Sequence, residues 1–194
     1  MMETRSDGEL MALYQQGSLE AFNLLYSRYE KRIYNYFLRH LGDPERSAEI
    51  FQETWLRLHR DRQAYNPQFP FATWLFTIAS NLAKNEFKQV SRRRRVFEGV
   101  EVDYEQVGDK RWQMDPGIVL ERSEVTTRIE QALRLLPTSQ REVIVMSKYQ
   151  GLSYAEIAEI TRTSIGAVKQ KAHRALVALR EHLHDLESAF HDAL

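Results

Sequence analysis

Cysteine is absent from this chain. Without thiols the protein can form neither disulfide bonds nor thiolate zinc sites, and a reducing compartment is compatible with its sequence. Glycine and proline are also scarce, with 8 and 5 examples among 194 residues, whereas helix-start and helix-stop signals recur from end to end. The composition therefore predicts an all-α globular protein.

Long uncharged apolar runs are missing as well, and the first ten residues lack the apolar core of a signal peptide. We therefore expect a cytoplasmic protein. Catalytic motifs are not found: the histidines are scattered, and neither a His-Glu-x-x-His pair nor a phosphate-binding glycine loop occurs. The sequence thus predicts no enzyme, no metal site and no cofactor.

The formal net charge is zero, which on its own argues against a nucleic-acid partner. The charges are nevertheless segregated along the chain. Basic side chains cluster at 84–95 and at 164–180, and an acidic stretch at 96–120 separates these two clusters. Two local binding sites for a polyanion can therefore coexist with a zero sum.

The segment 139–179 has the pattern of two short helices and a longer third one. Ser139 and Ser153 each stand three residues before a glutamate, which predicts two capping boxes. Gly151 is placed to end the first helix, and Ser164 to cap the third. The third helix has one apolar stripe at steps of three and four residues, formed by Ile165, Val168, Ala172, Ala175, Leu176 and Leu179.

The opposite side of this third helix is cationic, and no acidic residue lies between Ile160 and Arg180. Two short helices followed by a helix with a basic face are typical of a helix-turn-helix, whose last helix fits the major groove of DNA. The pattern favours DNA binding over an ordinary three-helix bundle with a solvated basic side. The cationic and amide side chains in question are Lys169, Gln170, Lys171, His173 and Arg174.

Four earlier helices are predicted from their end signals. Ser6, Ser18 and Asp43 are placed as N-caps, and Asp43 is followed by a proline suited to the first helical position. Gly17 and Gly42 are placed as helix ends. The third of these helices has an apolar side at helical spacing and a polar side. The polar side is by default solvated, with protein binding as the alternative, and carries Glu49, Gln52, Glu53 and Arg57.

A loop with two prolines at 65–70 precedes the fourth helix, which runs from residue 71 to about residue 90. Tyr65, Asn66 and Phe69 in this loop are expected to be exposed or half-exposed. Such side chains either contact unpaired bases or fold back on the core, and the sequence favours neither. The fourth helix itself presents a basic row with interleaved amides, typical of a nucleic-acid surface, at Asn81, Lys84, Asn85 and Lys88.

Residues 96–116 lack a helical period and are expected to form a poorly ordered acidic linker. A helix resumes at Ile118 and ends at Pro137. Its inner side is predicted to pack under the helix-turn-helix and to complete a second domain, through Val125, Ile129, Ala132, Leu133 and Leu136.

Several motifs in one order give a more specific indication. They are 49–58 (Glu-Ile-Phe-Gln-Glu-Thr-Trp-Leu-Arg-Leu), 71–82 (Phe-Ala-Thr-Trp-Leu-Phe-Thr-Ile-Ala-Ser-Asn-Leu), Leu136-Pro137, Arg141-Glu-Val143, 151–158 (Gly-Leu-Ser-Tyr-Ala-Glu-Ile-Ala), 164–169 (Ser-Ile-Gly-Ala-Val-Lys) and His173-Arg-Ala175. With this spacing the chain resembles, over nearly its whole length, the bacterial RNA polymerase sigma factors of the extracytoplasmic-function group.

The resemblance implies a sigma initiation factor with two helical domains: a region 2-like bundle at 1–95, a flexible acidic linker at 96–117 and a region 4-like helix-turn-helix at 118–194. The first domain would bind polymerase core through Glu49, Gln52, Glu53 and Arg57. It would also recognise and open the −10 promoter element with Tyr65, Asn66, Phe69, Phe71, Trp74, Asn81, Lys84, Asn85, Lys88, Arg92 and Arg93. The second domain would recognise the −35 element with Arg162, Ser164, Ala167, Lys169, Gln170, Lys171, His173 and Arg174.

The implied partners are promoter DNA, the β′ clamp and β flap of polymerase core, and an anti-sigma protein. Two positions depart from the family pattern. Ser80 stands where arginine is frequent, and Thr161-Arg-Thr163 replaces a turn that usually contains glycine. The alternative function is a stand-alone helix-turn-helix regulator with an N-terminal sensing domain.

Overall fold

The computed structural model describes residues 2–98 and 124–191, and within them every regular element is helical. The first part, which we call the N-terminal module, contains α1 (Asp7–Gln15), α2 (Leu19–Leu41), α3 (Pro44–Asp61), a 3₁₀ turn (Arg62–Ala64) and α4 (Phe71–Glu98). The second, the C-terminal module, contains α5 (Glu124–Leu135), α6 (Thr138–Ile144), a π-helical turn (Val145–Tyr149), α7 (Tyr154–Thr161) and α8 (Ile165–His191). The linker predicted at 96–117 falls almost wholly outside the described residues, as do residues 118–123.

Most of the predicted helix ends are confirmed. The Ser6 hydroxyl accepts from the Glu9 amide in a full capping box, and Ser18 and Asp43 accept from amides in the first turns of α2 and α3. Gly17 and Gly42 follow the ends of α1 and α2 with φ angles of 102° and 79°. Positive φ angles of this kind suit glycine because it has no Cβ atom.

Two predicted boundaries are wrong. Helix α6 begins at Thr138 with Pro137 at its N-cap and no side-chain cap, so Ser139 does not form the predicted capping box. Helix α4 does not stop near residue 90 but continues to Glu98, so Arg92 and Arg93 lie on the helix. Arginine is a good helix former, and the arginine run therefore extends the helix.

The core of the N-terminal module lies between the aromatic stripe of α2 and the apolar sides of α1, α3 and α4. Tyr36 and Phe37 are fully buried, and the ring of Phe76 meets Tyr36 edge-on with centroids 5.6 Å apart. In the C-terminal module, α8 packs on α5, α6 and α7 through Val168, Ala172 and Ala175. Ile165 and Leu176 were predicted to lie in the same buried stripe, but they are 46% and 44% exposed.

The two modules also pack against each other. Helix α7 lies against α4, and α5, α6 and the π-helical turn lie against α2. Apolar residues of both modules form one continuous buried cluster, to which the C-terminal module contributes Val143, Val145, Met146, Leu152 and Ile157. In this arrangement the middle of α4 is therefore covered by the C-terminal module.

Candidate nucleic-acid interface

The basic row predicted on α4 exists as one helical face. Asn81, Asn85 and Lys88 are exposed, Lys84 is half-buried, and Arg92 prolongs the same face because the helix continues past it. Arg93 is also exposed, at the flank of the row. The row offers cations for phosphates and amides for base edges along one side of a single helix.

The one acidic residue within this basic block points away from the row. Glu86 is 7% exposed, and its Oε1 atom accepts a hydrogen bond from Nε of Arg46 on α3 at 2.9 Å. The hydrogen bonds and charge of the Glu86 carboxylate raise the pKa of Arg46. Because Glu86 is engaged with α3, its charge does not oppose an anion bound along the row.

The loop before α4 is less open than expected. Asn66 and Phe69 are exposed, with Phe69 at 49%, but Tyr65 is only 4% exposed, which contradicts its predicted exposure. The Tyr65 hydroxyl donates to the Phe69 carbonyl at 2.8 Å, and burial together with the Asp7 charge raises its pKa. Phe71 is 2% exposed. Tyr65 and Phe71 therefore support the loop from below and do not offer a ring face to a base.

Two contacts fix this loop. Trp74 is half-buried, with its ring 5.2 Å from the ring of Tyr65. The Gln15 amide at the end of α1 donates to the carbonyls of Arg62 and Tyr65, both at 2.9 Å. Gln15 pairs with these carbonyls across nearly fifty residues of sequence, so local motifs gave no signal of this contact.

The predicted face of α8 is present. Lys169, Gln170, His173 and Arg174 are exposed on the side away from Val168 and Ala172, and Lys171 and Ala167 are half-buried at its edges. The Ser164 hydroxyl accepts from the Ala167 amide at 3.1 Å, which confirms Ser164 as the N-cap of α8.

The turn between α7 and α8 contains the single non-glycine residue with a positive φ among the described residues, Arg162 at 54°. Its amide caps the end of α7 by donating to the Glu159 carbonyl at 3.2 Å. Arg162 thus takes the left-handed conformation that glycine takes in the usual form of this turn. The segment Thr161-Arg-Thr163, which replaces the usual glycine-containing turn, therefore keeps the turn geometry of a helix-turn-helix.

The polar side of α3 forms an exposed ridge on the N-terminal module. Glu49, Gln52 and Arg57 are exposed and Glu53 is half-exposed. Leu56, which the sequence analysis did not single out, is 63% exposed in the middle of the ridge. Beside it lies an apolar cavity of about 450 Å³ between α1, α2 and α3, lined by Tyr14, Leu19, Phe22, Tyr26, Phe51, Gln52, Trp55, Leu56 and His59.

A carboxylate of the C-terminal module reaches the α4 row. Oε1 of Glu142 accepts from the hydroxyls of Ser80 at 2.5 Å and Tyr36 at 3.2 Å, and Oε2 lies 3.8 Å from Nζ of Lys84. Burial raises the pKa of Tyr36 well above its usual value, and the Glu142 charge adds to this. The sequence analysis missed this contact because it joins residues more than fifty positions apart.

His40 of α2 is buried beside this cluster. Its ring stacks on Tyr36 at 5.5 Å and meets the Phe87 ring edge-on at 5.1 Å. Burial, together with the charges of Arg141 and Lys84, holds the pKa of His40 well below its usual value. The imidazole therefore stays neutral in the folded chain.

None of the helices in the described ranges, 2–98 and 124–191, is both long enough and apolar enough to cross a membrane.

Family models match both modules. The model for sigma-70 region 2 matches residues 25–94, and the model for sigma-70 region 4 matches residues 126–179. The chain is 27% identical to the RNA polymerase sigma-H factor of Pseudomonas aeruginosa, over 96% of this chain and 98% of that protein. It is 30% identical to the ECF RNA polymerase sigma-E factor of Haemophilus influenzae, over 90% of this chain and 94% of that protein.

Solved structures show the same fold. RpoE of Bartonella quintana, in complex with the anti-sigma factor NepR, matches with a TM-score of 0.70 and 20% identity, over 86% of this chain and 98% of that one. CnrH, in complex with the cytosolic domain of CnrY, matches with a TM-score of 0.66 and 24% identity, over 95% of this chain and 99% of that one. With the exposed basic faces on α4 and α8, these similarities show that the chain belongs to the extracytoplasmic-function group of the RNA polymerase sigma-70 factors.

Proposed function

We propose that this sigma factor brings polymerase core to a two-part promoter and opens the −10 duplex with the row on α4. The observation that carries the proposal is the row itself: the exposed Asn81, Asn85 and Lys88 share one helical face, and the carboxylate of Glu86 is held by Arg46 on α3. Such a face combines phosphate contacts with polar groups that can contact base edges.

In this proposal the loop before α4 contacts the non-template strand through Asn66 and Phe69, which are exposed. Tyr65 and Phe71 hold the loop in place, and Trp74 offers only its exposed part. Unstacking a base costs on the order of a few kcal/mol. Stacking of Phe69 on a base and contacts from the row offset that cost, so strand opening needs no nucleotide hydrolysis.

We place recognition of the −35 element on α8. Its exposed Lys169, Gln170, His173 and Arg174 carry donors for phosphates and base edges, and the Arg162 turn sets the angle at which the helix enters the groove. The two modules together would give the protein contacts with two separate stretches of promoter.

We place the polymerase contact on the α3 ridge. Its exposed carboxylates and amide can pair with polar groups of the polymerase, and the exposed Leu56 beside the apolar cavity adds a non-polar contact. A mixed surface of this kind, with an apolar centre and a polar rim, is typical of protein interfaces. We further propose that an anti-sigma protein controls this chain, since RpoE was solved in complex with the anti-sigma factor NepR.

Run-off transcription with purified polymerase core on genomic DNA tests the function directly. We expect start sites that depend on this chain and share a two-part promoter. A chain that neither binds core nor produces specific start sites would disprove the proposal.

Two variants separate the assigned surfaces. Lys88→Ala is expected to lower open-complex formation several-fold and to leave core binding unchanged, because Lys88 lies on the row and not on the ridge. Glu53→Arg is expected to abolish co-purification with core. Lys31→Ala, which removes an exposed lysine of α2 outside both surfaces, is the matched control. Unchanged promoter opening by Lys88→Ala, or normal core binding by Glu53→Arg, would contradict the corresponding assignment.

A further inference from the structure

We propose that Gln15 of α1 is a positioning residue for the loop before α4 and, through that loop, determines which base the protein accepts in the −10 element. The inference rests on the proposed role of the loop in contacting the non-template strand. It extends that role to α1, a helix to which no DNA contact has been assigned.

The Gln15 side chain binds the backbone of the segment that leads into the loop. Its Nε2 atom donates to the carbonyls of Arg62 and Tyr65, both at 2.9 Å. A carboxamide nitrogen carries two hydrogens, so these two bonds fill its donor capacity. One side chain therefore fixes the first residue of the 3₁₀ turn and the residue that follows the turn.

The connection between α1 and this segment is reciprocal. The Gln63 amide donates to the backbone carbonyl of Gln15 at 2.9 Å. That carbonyl belongs to the last turn of α1, where no partner is available within the helix itself. The preceding residue, Tyr14, pairs through its hydroxyl with Nδ1 of His59 on α3 at 2.5 Å. Neighbouring residues of α1 thus hold both the last turn of α3 and the 3₁₀ turn after it.

Tyr65 connects this anchor to the exposed part of the loop. Its hydroxyl donates to the Phe69 carbonyl at 2.8 Å, and the Phe69 amide donates to the Asn66 carbonyl at 3.0 Å. The side-chain oxygen of Asn66 accepts from the Gln68 amide at 3.0 Å. Because a backbone amide holds that oxygen, the side-chain nitrogen of Asn66 is left to donate to a base.

Burial does not hold this part of the loop. Residues 66–70 are all exposed, including Phe69 at 49%. The two prolines of the loop fix their own φ angles but not the angle between the loop and the module. The anchored stretch 62–65 therefore sets the direction in which Asn66 and Phe69 point.

A loop whose conformation is fixed before binding contacts a base at a smaller entropic cost. A fixed direction for the Asn66 donor also restricts which base can accept from it, because an unpaired base is distinguished by the hydrogen-bonding groups on its edge. Loss of the two Gln15 bonds would free the loop to tilt about Tyr65. Both the affinity for the preferred base and the preference itself should then fall.

The test compares Gln15→Met, which removes both donors and keeps a long flexible side chain, with Gln16→Met. Gln16 is the next residue and is exposed, so the second variant is the matched control. After circular dichroism has verified folding, amide hydrogen exchange is measured on each free chain. We expect exchange at 66–69 to be about tenfold faster in Gln15→Met only, with exchange in α2 unchanged.

Holoenzymes formed with polymerase core are then tested on a promoter fork taken from a start site mapped by run-off transcription. Each of the four bases is placed in turn at every position of the unpaired −10 strand. The position that the loop reads is the one at which Asn66→Ala loses its base preference. There Gln15→Met should bind the preferred base about tenfold more weakly, equivalent to about 1.4 kcal/mol, and lose most of its preference over the other three. Preferences at the other positions and affinity for core should be unchanged.

A second background separates positioning from a general structural role. In a chain that carries both Asn66→Ala and Phe69→Ala, Gln15→Met should weaken DNA binding no further, because the side chains through which it acts are already missing. A general loss of structure would instead add to the effect of the two alanines and weaken binding at every position.

The proposal is overturned if loop exchange in Gln15→Met equals that of the wild-type chain, if Gln16→Met gives the same losses, or if Gln15→Met keeps its base preference. A full effect of Gln15→Met in the double-alanine background would also overturn it. Hydrogen exchange requires no DNA, so it tests the role of Gln15 separately from the proposed function. Specific initiation by the wild-type chain with unaltered base preference in Gln15→Met would remove only the role of Gln15.

Discussion

Among the residues that the structure describes, backbone strain is concentrated at Arg162. Its φ of 54° lies in the left-handed region, which costs a residue with a Cβ atom roughly 1–2 kcal/mol. The strain is tolerated because the Arg162 amide caps α7 and the next residues start α8.

We predict that Arg162→Gly raises the free energy of unfolding by about 0.5–1 kcal/mol, because relief of the strain exceeds the extra entropy of glycine in the unfolded chain. Arg162→Ala, which removes the same side chain and keeps the Cβ atom, should give no such gain. Urea unfolding of both variants measures the difference. Equal stability of the two would show that the turn is not strained.

His40 gives a prediction on pH. Burial and the charges of Arg141 and Lys84 lower its pKa in the folded chain, so below the ordinary histidine value of 6.5 the unfolded chain binds a proton that the folded chain does not. The free energy of unfolding should therefore fall as pH falls from 6.5 towards 5, by up to about 1.4 kcal/mol per pH unit.

The same pH series on His40→Gln should lose this contribution to the slope, whereas His173→Gln, at an exposed position on α8, should keep it. An unchanged slope in His40→Gln would mean that other groups account for the pH dependence.

Single residues were predicted well where a local signal decided their environment. Ser6, Ser153 and Ser164 cap helices as expected because a hydroxyl at the N-cap reaches amides of its own first turn. Tyr65 and Ile165 were predicted wrongly because packing with other segments, not neighbouring sequence, sets their exposure. Tyr65 is drawn into the core beside Phe71 and Trp74.

At the scale of elements, the stability of α7 depends on the capping of its first turn. The helix has only 8 residues, and its capping box is complete, with the Ser153 hydroxyl accepting from the Glu156 amide and the Glu156 carboxylate accepting from Ser153. Helices this short are marginal without tertiary contacts and caps.

We predict that Ser153→Ala lowers the free energy of unfolding by about 1 kcal/mol, whereas Ser153→Gly costs only a few tenths. Thermal unfolding followed by circular dichroism distinguishes the two. Equal losses would indicate that the capping hydrogen bonds contribute little and that the packing of Ile157 against the core holds the helix.

Helix positions could be predicted from the sequence, but some of their limits could not. The period of apolar residues located α2, α3 and α4, and glycines located several ends. The false capping box at Ser139 shows the limit of such motifs, since Pro137 already starts α6 at the preceding turn. The π-helical turn, in which the Gln150 amide donates to the Val145 carbonyl at 3.2 Å, had no sequence signal.

For the whole molecule, the continuous apolar cluster has a thermodynamic consequence. Residues of both modules share it, so the modules should unfold together. We predict one calorimetric transition for the wild-type chain and two for Glu142→Arg, because the new cation faces the ammonium group of Lys84 and separates the modules. A single unaltered transition in the variant would mean that apolar contacts alone couple the modules.

The family and the two basic faces could be recognised from sequence motifs, whereas the packing of one module on the other could not. The contact between Glu142 and Ser80 depends on how two separate bundles meet, and no periodicity within either bundle encodes that. The same is true of the pairing of Arg32 with Gln150.

The unbroken helix α4 fixes the distances between the residues of the row. At about 1.5 Å per residue its 28 residues span roughly 42 Å without a break. Asn81 and Arg92 therefore stay about 16 Å apart along one rigid axis, whatever sequence lies beside them. In the proposed role, inserting one nucleotide into the part of the −10 element that contacts the row would misalign the bases with Asn81 and Arg92. A continuous helix cannot change the distance between these two residues to compensate.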